Sequence, residues 1–459
     1  MKTSSCCSLV ALWLCSVLAG MAAESPGLEA GVAVRDVTPE LPIRLAGYAG
    51  RNRPADKVDL PLRVQALALR NPSGERFVFV ALDNCEVSHG FTQPVLGRLA
   101  ETLHLGRGTV AIVSSHTHSA PELSQTLVGM PVGSAADQQA IENYSRLLQT
   151  KLVEAVVEAV GNLKPALLEY GSGRATFAMN RRVYHGDRID FGENPDGPVD
   201  WEVPVLRVRG TDGAIRAIVF GYACHGTSVQ SGPDWYTVSG DYMGYACRHI
   251  EAHQPGAAAL YLTGMGGDSN PSPHGGLLDA KRHGLELAGA VMGVLDRPMR
   301  HVRGGFKLAY DEVEMPLSDP PSRPQLEKDA RSQDSGTRQR AELYLKYLDA
   351  GQALPRAVTL PVAALRLGDD LTFVLIGGEV VADYSRRLKR MLAEDHPWMV
   401  GYAYEVPCYI PSVRLLKEGG YEPDYSLIYY GFYGPFRTSI EDLLVNRAVA
   451  LAAGLRGQK

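Results

Sequence analysis

Val110-Ala111-Ile112-Val113-Ser114-Ser115-His116-Thr117-His118-Ser119 passes from a purely apolar run into hydroxyls and imidazoles. An apolar run without polar alternation predicts a strand covered on both faces, because a strand with one wet face alternates. The same pattern recurs in Phe77-Val78-Phe79-Val80-Ala81-Leu82, Ala217-Ile218-Val219-Phe220, Ala259-Leu260-Tyr261-Leu262 and Phe373-Val374-Leu375-Ile376. Between these runs, Ile141, Tyr144, Leu148, Leu152, Ala155 and Ala159 recur at helical spacing, with Gly161 placed to cap the end. Residues 277–295 and 440–455 also read as helices. Strands alternating with helices predict an α/β layered domain: a buried mixed β-sheet core flanked by helices.

Polar residues gather where the apolar runs end. Cys224-His225-Gly226-Thr227-Ser228 follows the third run, Gly264-Met265-Gly266-Gly267-Asp268 the fourth, and Gly377-Gly378-Glu379 the fifth. Ligands of open α/β sheets sit beyond the carboxyl ends of strands, so these ends converge on one site if the strands are neighbours. On an extended segment His116 and His118 point the same way, because side chains alternate with period two. The pair either binds one metal together or divides the work, one imidazole on the metal and one on the substrate. Zinc accepts imidazole nitrogen and carboxylate oxygen, and a catalytic site keeps one position for a water of pKa ~7. Plainer readings stand beside these. His225 is also consistent with a structural histidine, and Glu379 with the start of the helix through Arg386-Arg387-Leu388, where the helix dipole favours a carboxylate.

The chain of 459 residues is 45% hydrophobic and 21% charged, a composition that can bury a large core. Lys2, the apolar run over residues 9–18 and Met21-Ala22-Ala23 read as a secretory signal peptide over residues 1–23, which makes the mature chain secreted or periplasmic. No later stretch is apolar enough to span a membrane. Residues 24–459 read as a single catalytic domain. Residues 316–355, opened by Pro320-Pro321-Ser322-Arg323-Pro324, read as a surface insertion. Past the signal, Cys85, Cys224, Cys247 and Cys408 allow one disulfide but no Cys-x-x-Cys zinc motif. A net charge of -5 without a long basic run argues against nucleic acid as a partner. Nothing in the sequence fixes an oligomeric state.

At these residues the sequence resembles the neutral/alkaline, non-lysosomal ceramidase family. Ser115-His116-Thr117-His118-Ser119-Ala120-Pro121 is similar to its most specific motif, T-H-T-H-S-G-P. Asp36-Val37-Thr38-Pro39 with Gly47-Tyr48, Asp59-Leu60-Pro61-Leu62-Arg63-Val64, His225-Gly226-Thr227-Ser228, Gly378-Glu379 and Tyr409-Ile410-Pro411-Ser412 follow in the family's order. The resemblance implies one Zn2+ per chain, held by His116, His225, Glu379 and Tyr409. It implies that His118 faces the substrate as acid and base. It further matches Arg181, within Asn180-Arg181-Arg182-Val183, and Tyr421, within Tyr421-Glu422, to residues of the family's site, where Arg181 or Tyr421 could steady a developing oxyanion. Judged apart from the resemblance, Tyr409 reads as a core tyrosine.

The chain also departs from the family. Gly267-Asp268-Ser269-Asn270-Pro271 carries Asn270 where the family's G-D-x-S-P has serine, and Ser269 lies one place earlier. A one-residue shift redirects a side chain, so the serine's role does not pass to Ser269, while Asn270 can still donate a hydrogen bond. Glu122 stands where the family has glycine, and the family's C-terminal immunoglobulin-like domain is expected to be absent. The expected function is a secreted zinc hydrolase of an N-acyl amide in a lipid or lipid-like substrate. A deep apolar groove would favour ceramide. A shallow polar pocket lined by Asn180, Arg182 and Asn270 would favour another amide, ester or glycan derivative. A non-catalytic metal-stabilised binding protein and a two-metal amidohydrolase barrel are the alternatives from other classes.

Overall fold

The computed structural model describes residues 27–129, 133–186 and 188–456. The proposed signal peptide lies outside them. Each apolar run forms a strand: Arg76–Leu82, Val110–Ser114, Ile215–Tyr222, Ala258–Thr263 and Leu371–Ile376. The expected helices appear as Ala135–Gly161, Leu277–Leu295 and Ile440–Gly454. The first runs through Gly161, the expected cap, and is capped one residue later by Asn162.

Two sheets stack face to face between outer helices. The larger has nine strands, in the order Ala258–Thr263, Ile215–Tyr222, Glu202–Gly210, Lys164–Arg174, Leu28–Asp36, Arg63–Arg70, Arg76–Leu82, Val110–Ser114, with Arg300–Val302 added to Lys164–Arg174. The smaller runs Phe306–Pro316, Ala357–Leu367, Leu371–Ile376, Pro397–Val400. Strand Arg76–Leu82 explains the layering. Phe77, Phe79 and Ala81 pack on Leu365, Phe373 and Trp398 of the smaller sheet. Val78, Val80 and Leu82 pack on Phe91 and Leu99 of helix His89–Leu103 and on Leu148 and Leu152 of Ala135–Gly161. Both faces are dry, so neither can carry polar residues. Helices Asp241–His253 and Leu277–Leu295 cover the other end of the large sheet, and Ala382–Met391 and Ile440–Gly454 cover the smaller one.

The expectation that the functional strands are sheet neighbours is met only for Ile215–Tyr222 and Ala258–Thr263. Val110–Ser114 and Ala258–Thr263 stand at opposite ends of the large sheet, and Leu371–Ile376 belongs to the other sheet. Three parallel pairs bring their ends together. They are Arg76–Leu82 with Val110–Ser114, Ile215–Tyr222 with Ala258–Thr263, and Leu371–Ile376 with Pro397–Val400. Each pair is joined through a crossover helix, as parallel strands require. The twisted large sheet coils until its two ends meet: Thr263 Oγ1 donates to Ser114 O at 2.6 Å. The smaller sheet is stitched to that seam by Gly401 N to Thr263 O at 2.9 Å and Tyr404 N to Ile112 O at 2.6 Å. The four late cysteines are all free and buried, so the permitted disulfide does not form.

Candidate metal centre

The chain beyond each parallel strand is tied to the others through its backbone. His118 N donates to Gly226 O at 3.0 Å and Gly226 N to His116 O at 3.2 Å. A Cβ at Gly226 would fall 2.6 Å from His116 O, so only glycine allows this approach. Glu379–Val380 pairs in parallel with Tyr409–Ile410. His116 and His225, from two loops, and Glu379 and Tyr409, from two short paired strands, thereby come into one buried cluster, none more than 4% exposed. The backbone at His116 is left-handed, φ 61°, and not extended. The two imidazoles of His-x-His still converge, Nε2 to Nε2 at 3.2 Å, but through a strained residue and not through period-two alternation. Such strain costs about 1–3 kcal/mol and collects at functional sites.

Three donor atoms of His116, His225 and Glu379 lie within 4.8 Å of one another. Glu379 Oε2 is 3.0 Å from His116 Nε2 and 3.2 Å from His225 Nε2. Tyr409 Oη lies 2.9 Å from His225 Nε2. His116 Nδ1 donates to Cys85 O at 2.9 Å and His225 Nδ1 to Gly266 O at 3.2 Å, so both Nε2 atoms turn their lone pairs inward. Burial and Arg181 push His225 down to about 3, which keeps it neutral. Burial alone would raise Glu379, but the facing imidazoles hold it well below the usual carboxylate range. Arg181 Nη1 donates to the lone pair of His225 Nε2 and Tyr402 Oη to that of Glu379 Oε2; a cation placed between the three donor atoms would be held by all of them. Ligands at ~2.0–2.1 Å from a tetrahedral zinc stand about 3.3 Å apart, close to the separations found. The donor set fits a divalent cation.

His118 differs from the other two histidines. Its Nδ1 is buried without a partner, and burial with the neighbouring His116 and His225 pushes its pKa well below the usual histidine value. Its ring meets Tyr48 edge-on at 4.7 Å. His118 and Tyr421 line a cavity of about 200 Å³ together with His116, Glu379 and Tyr409. Arg181 and Asn270 do not line that cavity. Arg181 lies behind its wall, donating to Glu422 Oε1, His225 Nε2, Asn270 Oδ1 and Tyr409 Oη at 2.8–3.2 Å. Of the expected polar lining, Asn180 is buried on Asp268, and Arg182 opens on a separate cavity of about 370 Å³ beside Phe191 and Tyr425.

Three residues at the site were missed. Glu86 lies just beyond strand Arg76–Leu82, where the strand-end rule applied elsewhere would have found it. Burial and Glu379 push its carboxyl well above the usual range. Tyr402, left-handed at φ 52°, packs its ring 4.5 Å from His116 and donates to Glu379 Oε2 at 3.2 Å. Tyr430 donates to Glu379 Oε1 at 2.6 Å and lies 2.9 Å from Glu86 Oε2. No local pattern marks Tyr430, one of 21 tyrosines.

The fold and the donor set define a class: an α/β sandwich with a buried His-His-carboxylate cluster beyond its parallel strand ends. Residues 28–265 match the model for neutral/alkaline non-lysosomal ceramidase, N-terminal, which is just over half of the chain. The chain belongs to the neutral/alkaline non-lysosomal ceramidase family. It is 27% identical over 235 residues to neutral ceramidase of Oryza sativa subsp. japonica, covering 48% of this chain and 28% of that one. Neutral ceramidase 2 of Arabidopsis thaliana is 26% identical over 234 residues, covering 48% and 29%. The matched region is thus less than a third of each relative's length. Among solved structures, neutral ceramidase from Pseudomonas aeruginosa superposes with a TM-score of 0.70 at 19% identity, over 94% of this chain and 76% of that one. A structure described as ceramidase complexed with C2 gives 0.71 at 19% identity, with the same coverage. These likenesses establish the fold, and at 94% coverage of this chain they reach well past residue 265.

Proposed function

We propose that this protein is an exported, zinc-dependent hydrolase that cleaves an N-acyl amide of a lipid or lipid-like substrate. The carrying observation is the convergence of His116 Nε2, His225 Nε2 and Glu379 Oε2, with Tyr409 Oη beside them. A metal-binding histidine almost always gives its second N–H to a carbonyl or carboxylate. His116 and His225 do so and His118 does not, which supports His116 and His225 as ligands and His118 as the proton carrier. Tyr409 would complete the set, with Arg181 beside its oxygen opposing the rise that burial imposes on its pKa. Zinc held there would supply Lewis-acid activation of a carbonyl and of a water.

The chain's own residues do the rest. Neutral His118 can take a proton at Nε2 and return it to the leaving nitrogen. Tyr421, on the cavity wall, can donate to the developing oxyanion. Arg181 acts from behind by orienting Tyr409 and Asn270. A cavity of about 200 Å³ is smaller than the roughly 300–1,000 Å³ of pockets that enclose drug-sized ligands. It admits the amide and its immediate substituents and leaves a long acyl chain outside. The same feature favours, as a second reading, a different amide or ester with a small polar head. The terminal segment of Lys2, residues 9–18 and Met21-Ala22-Ala23 supports export.

The test combines metal analysis with N-acyl sphingoid, N-acyl amino-acid, N-acyl sugar and glycoside substrates. One zinc per chain, lost in His116→Ala/His225→Ala, with amide turnover is the expected result. Unchanged zinc content in that double variant would overturn the ligand set. Activity confined to non-ceramide substrates would keep the mechanism and select the second reading.

A further inference from the structure

The surface insertion expected over residues 316–355 is a pair of helices, Arg323–Asp329 and Ser335–Asp349. It leaves and rejoins the smaller sheet at a closed neck, where Leu317 N donates to Arg356 O at 2.8 Å. Its buried residues Leu326, Ala341 and Tyr344 form a small core of their own, packed against Tyr433. The hairpin grips one further segment, residues 425–433. Arg340 Nη1 donates to Phe432 O at 2.9 Å, and the same guanidinium lies 3.9 Å over the Tyr433 ring. Tyr433 N donates to Tyr344 Oη at 3.3 Å. A Cβ at Gly336 would fall 2.3 Å from Ile428 Cγ2, so the hairpin backbone sits directly on that side chain. Gly129 N also donates to Tyr429 O at 2.9 Å.

The clamped segment carries Tyr430. Its hydroxyl takes Glu379 Oε1 at 2.6 Å, while Glu379 Oε2 faces His116 and His225. A carboxylate free to rotate would present either oxygen to a cation, and a ligand's affinity depends on the hydrogen bonds that fix its orientation. We propose that the helical hairpin is a buttress for the metal centre. By clamping residues 425–433 it holds the Tyr430 hydroxyl on Glu379 Oε1 and so turns Oε2 towards the imidazoles. Tyr430 is a positioning residue, and the insertion acts on the cation through it. This rests on the metal reading given above.

The test measures zinc affinity of the full chain by competition with a chromophoric chelator, with circular dichroism and melting as fold controls. Tyr430→Phe is expected to weaken zinc about 10–100-fold, the usual range for losing such a partner. Arg340→Ala/Tyr344→Ala, which alters nothing that touches Glu379, is expected to weaken it in the same direction. Tyr344→Phe, which removes only the hydroxyl, replaces the double variant if that does not fold. Combining the hairpin and Tyr430 changes is expected to add little beyond Tyr430→Phe, because both act on one contact. A cobalt-substituted protein should show the same change of visible spectrum for both. Hairpin variants that bind zinc as tightly as the parent, or losses that add fully, overturn the buttress and leave the metal reading intact. A parent chain that takes up no zinc overturns both.

Discussion

Replacing Glu422 by glutamine tests whether the arginines behind the site depend on a buried carboxylate. Glu422 accepts from Arg181 Nε at 2.8 Å and from Arg182 Nη1, and the three side chains are between 1% and 6% exposed. The amide would keep the shape and lose the charge, leaving two buried cations short of a counter-ion. Breaking a buried pair costs about 3–5 kcal/mol. Arg182 keeps Glu418 at 3.1 Å and Gly419 O at 2.7 Å, and Arg181 keeps Tyr409 and Asn270. The lower end is therefore expected: about 3 kcal/mol, roughly a hundredfold in the unfolding equilibrium at neutral pH. The pH dependence has a definite sign. Burial alone would raise the Glu422 pKa, but Arg181 and Arg182 hold it below the ordinary glutamate value. A depressed carboxylate stabilises the fold above the unfolded pKa of about 4.3 and loses that contribution as pH falls through the lower folded value. The parent and Glu422→Gln should therefore converge in acid and diverge above it, in urea unfolding followed from pH 3 to 7. A difference below about 1 kcal/mol at pH 7 would place the network with exposed ion pairs and refute the reasoning.

Gly47→Ala should damage the site without unfolding it. Gly47 has φ 89°, and a Cβ there would lie 2.3 Å from His118 Nδ1. Turnover should fall at least about tenfold with zinc content unchanged, as a misplaced acid–base group implies. His118→Ala should keep its metal and lose about 10²–10⁴-fold in turnover, read by steady-state kinetics beside metal analysis. Metal lost with His118 would instead make it a ligand. Asp268 is pushed up to about 6 by burial, against the Ala382 N–H that favours its charge. A raised carboxylate costs stability as pH rises from the unfolded value near 3.9 through 6, so Asp268→Asn should lose less stability over that interval than the parent. Parallel stability curves for the two would contradict this.

Much of the molecule is legible in local sequence because burial on both faces leaves a signature that needs no tertiary information. Phe77 to Leu82 and Phe373 to Ile376 are apolar at every position, and both are strands. The turn from apolar to polar marked His116, His225 and Glu379, since a chain leaving a dry sheet edge can solvate or bind through its next residues. Their order also resembled one family, and residues 28–265 match its model.

Other features depend on contacts between residues far apart in the chain. Sheet adjacency alone does not bring all the strand ends together, since it joins only those of Ile215–Tyr222 and Ala258–Thr263. The coiling of one sheet and the docking of the second accomplish it, and both arise from how whole sheets twist and pack. Arg181 is expected, with Tyr421 as the alternative, to steady an oxyanion, yet it sits behind the cavity wall, where Glu422, 241 residues away, accepts from its Nε. Tyr402 and Tyr430 reach Glu379 from 23 and 51 residues away, and no spacing rule encodes such contacts. The sequence by itself determined the dry strands, the helices and the chemistry at the strand ends, because these follow from side-chain polarity within a few residues. Only the tertiary structure decided which oxygen of Glu379 faces the imidazoles, because that orientation is set by hydrogen bonds from elements that meet only after both sheets have packed.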